Sequence, residues 1–553
     1  MTDGGEAVEV RVVPKLVAQI LARRGMAPEA MAAFLWPNYD EHLHDPYLMT
    51  DMDRAVERLV AAVENGERVV VYGDYDIDGI TASAVLLESL RALGADVHSY
   101  IPDRFEEGYG LNTAALEALQ AEGATLVVSV DCGITSVAEA DWAREHGLDL
   151  VITDHHTPPE VLPEAVAVVN PKRPGDDYPF KELCGAGVAF KLVQALQRRT
   201  GIPEAGQEKW LLDLVALGTV CDVVDLVGEN RVLVAYGLKV MQRTRRPGLR
   251  ALAVVGGVDI RKITARELGF VLGPRMNAAG RLDHAARSLE LVETADEARA
   301  MVIANELENL NRQRRADQDR IFKEAMVQAE AHEADSVLVL ADGGWSHGIV
   351  GIVASKLAER WGRPVVLGQV MGETTKASAR SVAGFNMVQA LRSCAELLTK
   401  YGGHYYAAGM TLPTANLEAL RERLGRLAGD GGADESEATE ADVVLDDLAE
   451  IGWPVYDDLA LLEPYGAAHP VPVFELRQMV LGGLSQMGAD GSHLRLAIQD
   501  EAGRTLAGVG FGLAGRYGQL QPGQRITVRG SLNKNEFRGE RTLQLVVTDI
   551  HHE

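Results

Sequence analysis

Two hydrophobic periodicities alternate along the chain. Between Arg68 and Val224, short β-branched apolar runs are separated by segments with apolar residues at helical spacing. Arg68-Val69-Val70-Val71-Tyr72, Thr125 to Val130, Asp149 to Thr153 and Ala165 to Val169 read as buried strands, and Ile80 to Leu93 and Leu211 to Val220 as helices. Such alternation predicts a parallel, doubly wound sheet over 51–228. A helical lead-in occupies 1–50, with Leu16 to Ala22 at helical spacing, and a helix from Met52 to Asn65 leads to the first strand. Residues 229–334 are helical and close on a stretch free of Gly and Pro, about Ala295 to His332, long enough to connect two lobes. Residues 335–427 repeat the α/β pattern, with Ser336 to Leu340 and Pro364 to Leu367 as strands around a helix from Gly348 to Trp361. An acidic linker and return segment covers 428–470. Five short alternating runs in 471–553, separated by Gly and Asp turns, predict a small β-barrel of OB type. The expected architecture is two α/β lobes joined by a long helix, with a C-terminal OB-fold barrel.

Length and composition agree with several domains, since 553 residues at 47% apolar content supply more than one core. The four cysteines are scattered without a CxxC pair, which disfavours a disulfide frame or thiolate zinc site and fits a reducing cytoplasm. The acidic N-terminus lacks the apolar core of a signal peptide, and no apolar run reaches the roughly 18 residues of a membrane span. The net charge of −26 taken alone argues against a nucleic-acid partner. Its distribution changes that picture. From Lys239 to Arg287 there are 11 basic and 3 acidic residues, as in a phosphate track, whereas the stretch from Gly429 to Glu450 holds no basic residue. A basic run of this kind is also what a solvated helical surface presents.

The chemistry-bearing residues fall at element ends. Tyr72-Gly73-Asp74-Tyr75-Asp76-Ile77-Asp78-Gly79 follows the first strand, Asp131 the next, Asp154-His155-His156 the third, and Asp222 ends an apolar helix. In open α/β sheets, ligands gather beyond the carboxyl ends of the strands. Alone, an Asp-x-Asp is as readily a solvated turn. Repetition of acids at successive ends argues for convergence. Oxygen and imidazole donors without thiolate favour Mn²⁺ or Mg²⁺ over structural zinc. Two such ions roughly 3.5–4 Å apart activate a water and stabilise a leaving oxygen in phosphoryl transfer. Four carboxylates repel a phosphodiester, so substrate binding requires loaded metal.

The motifs GDYDIDGITA, VDCGIT, TDHH, VNPKR and LGTVCDVV, in this order, resemble the DHH phosphoesterase superfamily, and within it the bacterial single-strand-specific 5′ exonucleases. The resemblance covers nearly the whole chain. It implies two ions held by Asp76, Asp78, Asp131, His155 and Asp222, with His156 beside the scissile phosphate, Asp154 among the catalytic residues, and Asp74 either a supporting group or a ligand. Gly273-Pro274-Arg275-Met276-Asn277-Ala278-Ala279-Gly280-Arg281 resembles a motif facing the site, so Arg275, Asn277 and Arg281 are expected on the substrate. Tyr401-Gly402-Gly403-His404, with its neighbours, resembles the DHH-associated domain, where His404 contacts a phosphate. Ser378 and Arg380, with Arg104, are implied to hold the 5′-terminal phosphate. Lys534, Phe537, Arg538 and Arg541 in the barrel offer a stacking surface for a strand, or equally a solvated hairpin.

The expected function is 5′ to 3′ exonuclease action on single-stranded DNA, releasing 5′-mononucleotides in recombination and repair. The expected partners are single-stranded DNA, single-strand-binding protein and a RecQ-type helicase, with no membrane partner, and the enzyme is expected to be a monomer. A phosphodiesterase for short RNA or cyclic dinucleotides is the alternative, but it needs neither the basic mid-chain nor the barrel. A silent strand-binding scaffold is the third reading, but it has no reason to keep every acid and histidine.

Overall fold

The computed structural model describes residues 12–429, 440–537 and 539–552. Arg538 and the side chain of Phe537 lie outside the described residues, as do the acidic N-terminus and 430–439 of the expected linker.

Strands β1 (Arg68–Gly73), β2 (Asp96–Tyr100), β3 (Leu126–Val130), β4 (Asp149–Thr153) and β5 (Ala167–Val169) form one parallel sheet in the order β2-β1-β3-β4-β5. β1 and β3 to β5 are almost wholly buried because helices cover both faces. Parallel strands point their carboxyl ends the same way, so Asp74, Asp131 and Asp154 emerge on one side. The helices Ile77–Ala92, Gly185–Thr200 and Leu212–Cys221 pack behind them in the largest core.

The 34-residue helix Glu297–Glu330 joins this lobe to a second sheet. There β6 (Leu338–Asp342), β7 (Val365–Met371), β8 (Thr374–Arg380), β9 (Lys400–Gly403) and β10 (Ala407–Pro413) lie in the order β6-β7-β8-β10-β9. Only β6 and β7 run parallel; β8, β9 and β10 pair antiparallel. Helix His347–Trp361 crosses between β6 and β7.

The C-terminal unit starts earlier than the alternating runs indicate. β11 (Val443–Leu445) adds parallel to β12 (Phe474–Met487). β12 then continues with β13 (His493–Gln499), β14 (Thr505–Gly510), β15 (Arg525–Phe537) and β16 (Glu540–His552), and pairing of β12 with β15 closes five strands into a barrel. The helical lead-in belongs to the same body. Val17, Ile20, Leu21, Met31, Phe34 and Leu35 share one core with barrel residues such as Phe474, Leu476 and Val528. Arg231, on helix Gly228–Met241, ties these parts to the first lobe: its guanidinium lies 3.7 Å from the Phe34 ring centroid and donates to the carbonyls of Phe34, Leu462, Glu463 and Pro464. Among the described residues, no helix is long and apolar enough to cross a membrane.

Candidate active site

Each acid reaches the site for a local reason. Asp76 is the N-cap of helix Ile77–Ala92, where its Oδ1 accepts from the N–H groups of Asp78 (2.8 Å) and Gly79 (3.1 Å). Asp78 follows in the first turn and accepts from Gly185 N–H (2.5 Å) and Ala186 N–H (2.9 Å) at the start of helix Gly185–Thr200. Asp131 sits at φ 62°, a left-handed conformation that costs a non-glycine residue about 1–3 kcal/mol and turns its carboxylate inward. Asp222 caps the end of helix Leu212–Cys221.

His155 joins these groups. Its Nε2 lies 3.1 Å from Asp131, 3.6 Å from Asp222 and 3.8 Å from Asp78. Burial and the neighbouring His156 push its pKa down to about 3, so it is a neutral donor. Donor atoms gather in three overlapping sets: Asp78 with His155 and Asp222, Asp74 with Asp76 and Asp131, and Asp131 with His155 and His156. The structure therefore brings together all five ligands that the resemblance implies and adds Asp74 to them. That aspartate's signal was its place at the carboxyl end of β1, shared with Asp76.

The donors fit divalent cations. Asp74 Oδ1, Asp131 Oδ1 and both ring nitrogens of His155 are buried without a hydrogen-bond partner among the described residues. Burial and then adjacent carboxylates hold Asp74, Asp131 and Asp222 well above the usual carboxylate range and Asp78 at about 6. An oxygen-rich set of this kind needs positive charge, and Mn²⁺ or Mg²⁺ supplies it.

Asp154 has a different task. It is fully enclosed, accepting from the backbone N–H groups of Ile134 (3.0 Å), His155 (2.7 Å) and His156 (3.0 Å) and from His156 Nδ1 (2.8 Å). Burial opposes its charge, but the His156 hydrogen bond prevails and its pKa falls. The same pair raises the His156 pKa against the effect of burial. Tyr109 Oη, unforeseen in the sequence, also lies 3.1 Å from His156 Nδ1.

Facing this acid cluster is a pocket of cations. Arg281 donates to the Gly348 carbonyl at 3.0 Å. Burial, followed by repulsion from Arg104 and Arg314, lowers its pKa to about 9. Arg380 bonds Ser355 Oγ and its own chain at Ala379 O, and Arg104 lies over the Tyr75 ring at 4.9 Å. A Cβ at Gly351 would stand 3.2 Å from Arg380 Nη2 and 3.4 Å from Ser378 Oγ, so glycine admits both groups to the pocket. Among the described residues, Arg104, Arg281, Arg314 and Arg380 have no carboxylate partner within ion-pair distance. His404 follows Gly403, whose φ of 144° only glycine tolerates readily, and it lies in the fields of His156 and Lys172. Asn277 and Arg281 also line a cavity of about 900 Å³ that runs past Cys221 and Arg314 to Tyr456 and Tyr465 beside the barrel.

Arg275 departs from expectation. It lies 120° around the helix from Arg281, given their six-residue separation. Its Nε is 2.7 Å from Glu308 and its Nη1 donates to Val271 O, so this guanidinium is buried in an ion pair rather than facing the acids. Much of the expected basic track is similarly neutralised. Arg246 pairs with Glu88 (2.7 Å) and Asp213 (3.2 Å), Arg250 with Glu297 (2.9 Å), and Arg287 with Glu290 (2.9 Å). All of these acids lie outside the stretch in which the charges were compared. In the barrel, Arg541 lies over the Trp453 ring at 5.6 Å, and Lys534 is 3.5 Å from Glu536.

Residues 68–219 match the model of the DHH family N-terminal domain, 334–430 that of the DHHA1 domain and 442–549 that of the RecJ OB domain. The single-stranded-DNA-specific exonuclease RecJ of Bacillus subtilis is 38% identical over 546 residues, 98% of this chain and 68% of that protein. Its namesake in Escherichia coli is 36% identical over 534 residues, 91% of this chain and 90% of the relative. The chain belongs to the RecJ family. RecJ from Thermus thermophilus in complex with Mn²⁺ superposes with a TM-score of 0.81 at 33% identity, covering 98% of this chain and 78% of that one. The Mg²⁺ complex of the same RecJ gives 0.75 at 31% identity, covering 98% and 77%. Known RecJ structures thus hold the two cations that the donor set here fits.

Proposed function

We propose that this RecJ-family chain is a divalent-metal-dependent exonuclease that removes mononucleotides from the 5′ end of single-stranded DNA. The observation that carries the reading is the juxtaposition of two opposed charge clusters. A buried set of carboxylates and His155 faces arginines that lack carboxylate partners among the described residues. The names of the relatives supply the substrate class, and the site's chemistry supplies phosphodiester hydrolysis.

Asp74, Asp76 and Asp131 would hold one cation, and Asp78, His155 and Asp222 the other, with Asp131 near both. When bound, such ions cancel the carboxylate charge, acidify a water and polarise the phosphate. The chain's own groups do the rest. Asp154 fixes the His156 ring and favours its protonated form, so His156 is placed to neutralise a phosphate oxygen or protonate the leaving one. Arg281, close enough to feel Asp76, positions the scissile phosphate. Arg104, Ser378 and Arg380 engage the 5′-terminal phosphate, which sets the polarity. A gap between the lobes that admits one strand would exclude a duplex.

The test is a Mn²⁺-supported assay with 5′-labelled and 3′-labelled single strands and a blunt duplex, with Asp76→Ala as control. Immediate mononucleotide from the 5′ label and an intact duplex are expected. Mononucleotide first from the 3′ label overturns the polarity, and activity in Asp76→Ala overturns the metal assignment.

A further inference from the structure

Helix His347–Trp361 begins where the two lobes touch. A Cβ at Gly348 would stand 2.4 Å from the Arg281 carbonyl oxygen and 3.3 Å from the Phe105 ring, so only glycine allows this approach. One turn further, Gly351 faces Ser378 and Arg380. His347 heads the helix between these positions and the opposite lobe. Its backbone N–H donates to Gln369 Oε1 at 2.9 Å, but its Nδ1 is buried with no hydrogen-bond partner among the described residues. Arg104 and Lys376 face the imidazole. Neither cation has a carboxylate partner within ion-pair distance among the described residues. Burial and these two charges hold the His347 pKa down at about 4, so the ring is neutral at physiological pH and can donate one N–H.

Unpaired cations gathered beside a neutral imidazole draw an anion, to which the ring can donate its one N–H. We propose that His347 is a further contact to the 5′-terminal phosphate and contributes to the preference for a phosphorylated over a hydroxyl 5′ end. Arg104 supplies charge from the first lobe, Lys376, Ser378 and Arg380 lie along one face of β8, and His347 adds a neutral donor. This inference rests on the reading of the pocket as the 5′-end site.

The experiment compares kcat/KM on one oligonucleotide with either a 5′-phosphate or a 5′-hydroxyl, with Mn²⁺, for the wild type, His347→Ala, His347→Gln and Arg380→Ala. A hydrogen bond to a charged group corresponds to roughly 10- to 100-fold in affinity. His347→Ala is expected to lower the phosphate-to-hydroxyl ratio by about that factor, and His347→Gln, which keeps a donor, to restore part of it. If Arg380→Ala collapses the ratio while His347→Ala keeps it within about twofold, the His347 assignment is wrong. Equal losses on both substrates in His347→Ala also overturn it, since that is the mark of a packing defect. A wild type indifferent to the 5′ group, with Arg380→Ala no different, overturns the 5′-end pocket itself and this inference with it.

Discussion

Replacing Gly185 with alanine probes the geometry of the acid cluster without replacing any of its carboxylates. Gly185 has no positive φ, so alanine suits its backbone, and the residue stands at the start of a helix. The obstacle is steric. A Cβ at Gly185 would lie 2.5 Å from Asp131 Cβ and 2.6 Å from its Cγ and Oδ1, whereas ordinary contact begins at 3.4 Å. Either Asp131 or the helix must retreat by about 0.9 Å. Asp131 is already held in the left-handed region at φ 62° and has little freedom to absorb the shift. If the helix moves instead, Gly185 and Ala186 withdraw their N–H groups from Asp78. Both routes displace a carboxylate of the proposed metal site. A misplacement near 1 Å in a catalytic constellation costs about 100-fold in rate, while overpacking costs roughly 1–3 kcal/mol of stability. Gly185→Ala is therefore expected to fold, to bind Mn²⁺ more weakly by calorimetry and to lose about two orders of magnitude in turnover on a labelled single strand. Wild-type turnover and wild-type Mn²⁺ affinity in a folded Gly185→Ala protein would refute the proposition that this helix start positions Asp131 and Asp78.

Three further outcomes separate the structure from its alternatives. Arg281→Ala should reduce the salt dependence of strand binding, with the slope of log K against log salt falling by about one; Arg275→Ala should leave that slope intact while costing roughly 1–3 kcal/mol in urea denaturation, because Glu308 Oε2 and the Val271 carbonyl lose their donor while Arg312 still holds Glu308 Oε1. The reverse assignment of the two effects would return Arg275 to the substrate. His469 is buried, with Nε2 2.8 Å from Leu462 O and Nδ1 3.1 Å from Arg24 Nη1, and burial followed by Arg231 lowers its pKa to about 4 from an unfolded value of 6.5. Its contribution to stability is complete above pH 6.5 and declines as pH falls toward 4, by on the order of 1–3 kcal/mol. The raised carboxyls of the metal-free site act in the opposite sense, so the measurement is the difference in urea midpoint between wild type and His469→Gln at pH 7.5 and 4.5; an unchanged difference rejects the assignment. Arg231→Met should unfasten the lead-in and barrel from the first lobe, leaving several buried carbonyls unpaired at a cost of roughly 3 kcal/mol, seen as faster limited proteolysis within 12–36; an unaltered digestion pattern would show that the apolar core alone holds them.

Local patterning along the chain is enough to place the elements and the ends at which chemistry sits. β-Branched runs ending in Asp74, Asp131 and Asp154 suffice, because parallel strands in one sheet must deliver their carboxyl ends to one edge. The same logic made five spaced alternating runs a barrel. Which charges are available depends instead on packing. Arg275 and Arg281 look equivalent along the chain, but helix rotation sends one to Glu308 and the other to the cleft. Arg246 and Arg250 read as basic until Glu88 and Glu297 arrive from elsewhere in the fold. Asp154 reads as one more catalytic acid at a strand end, and only its four hydrogen bonds reveal a residue that orients His156. The lead-in's apolar stripe announced a buried face without saying against what, and its partner proved to be a barrel more than 400 residues away. Local pattern fixes periodicity and therefore which face is apolar. Neutralisation of a charge and the partner of an apolar face depend on residues remote in sequence, which only the packed chain brings together.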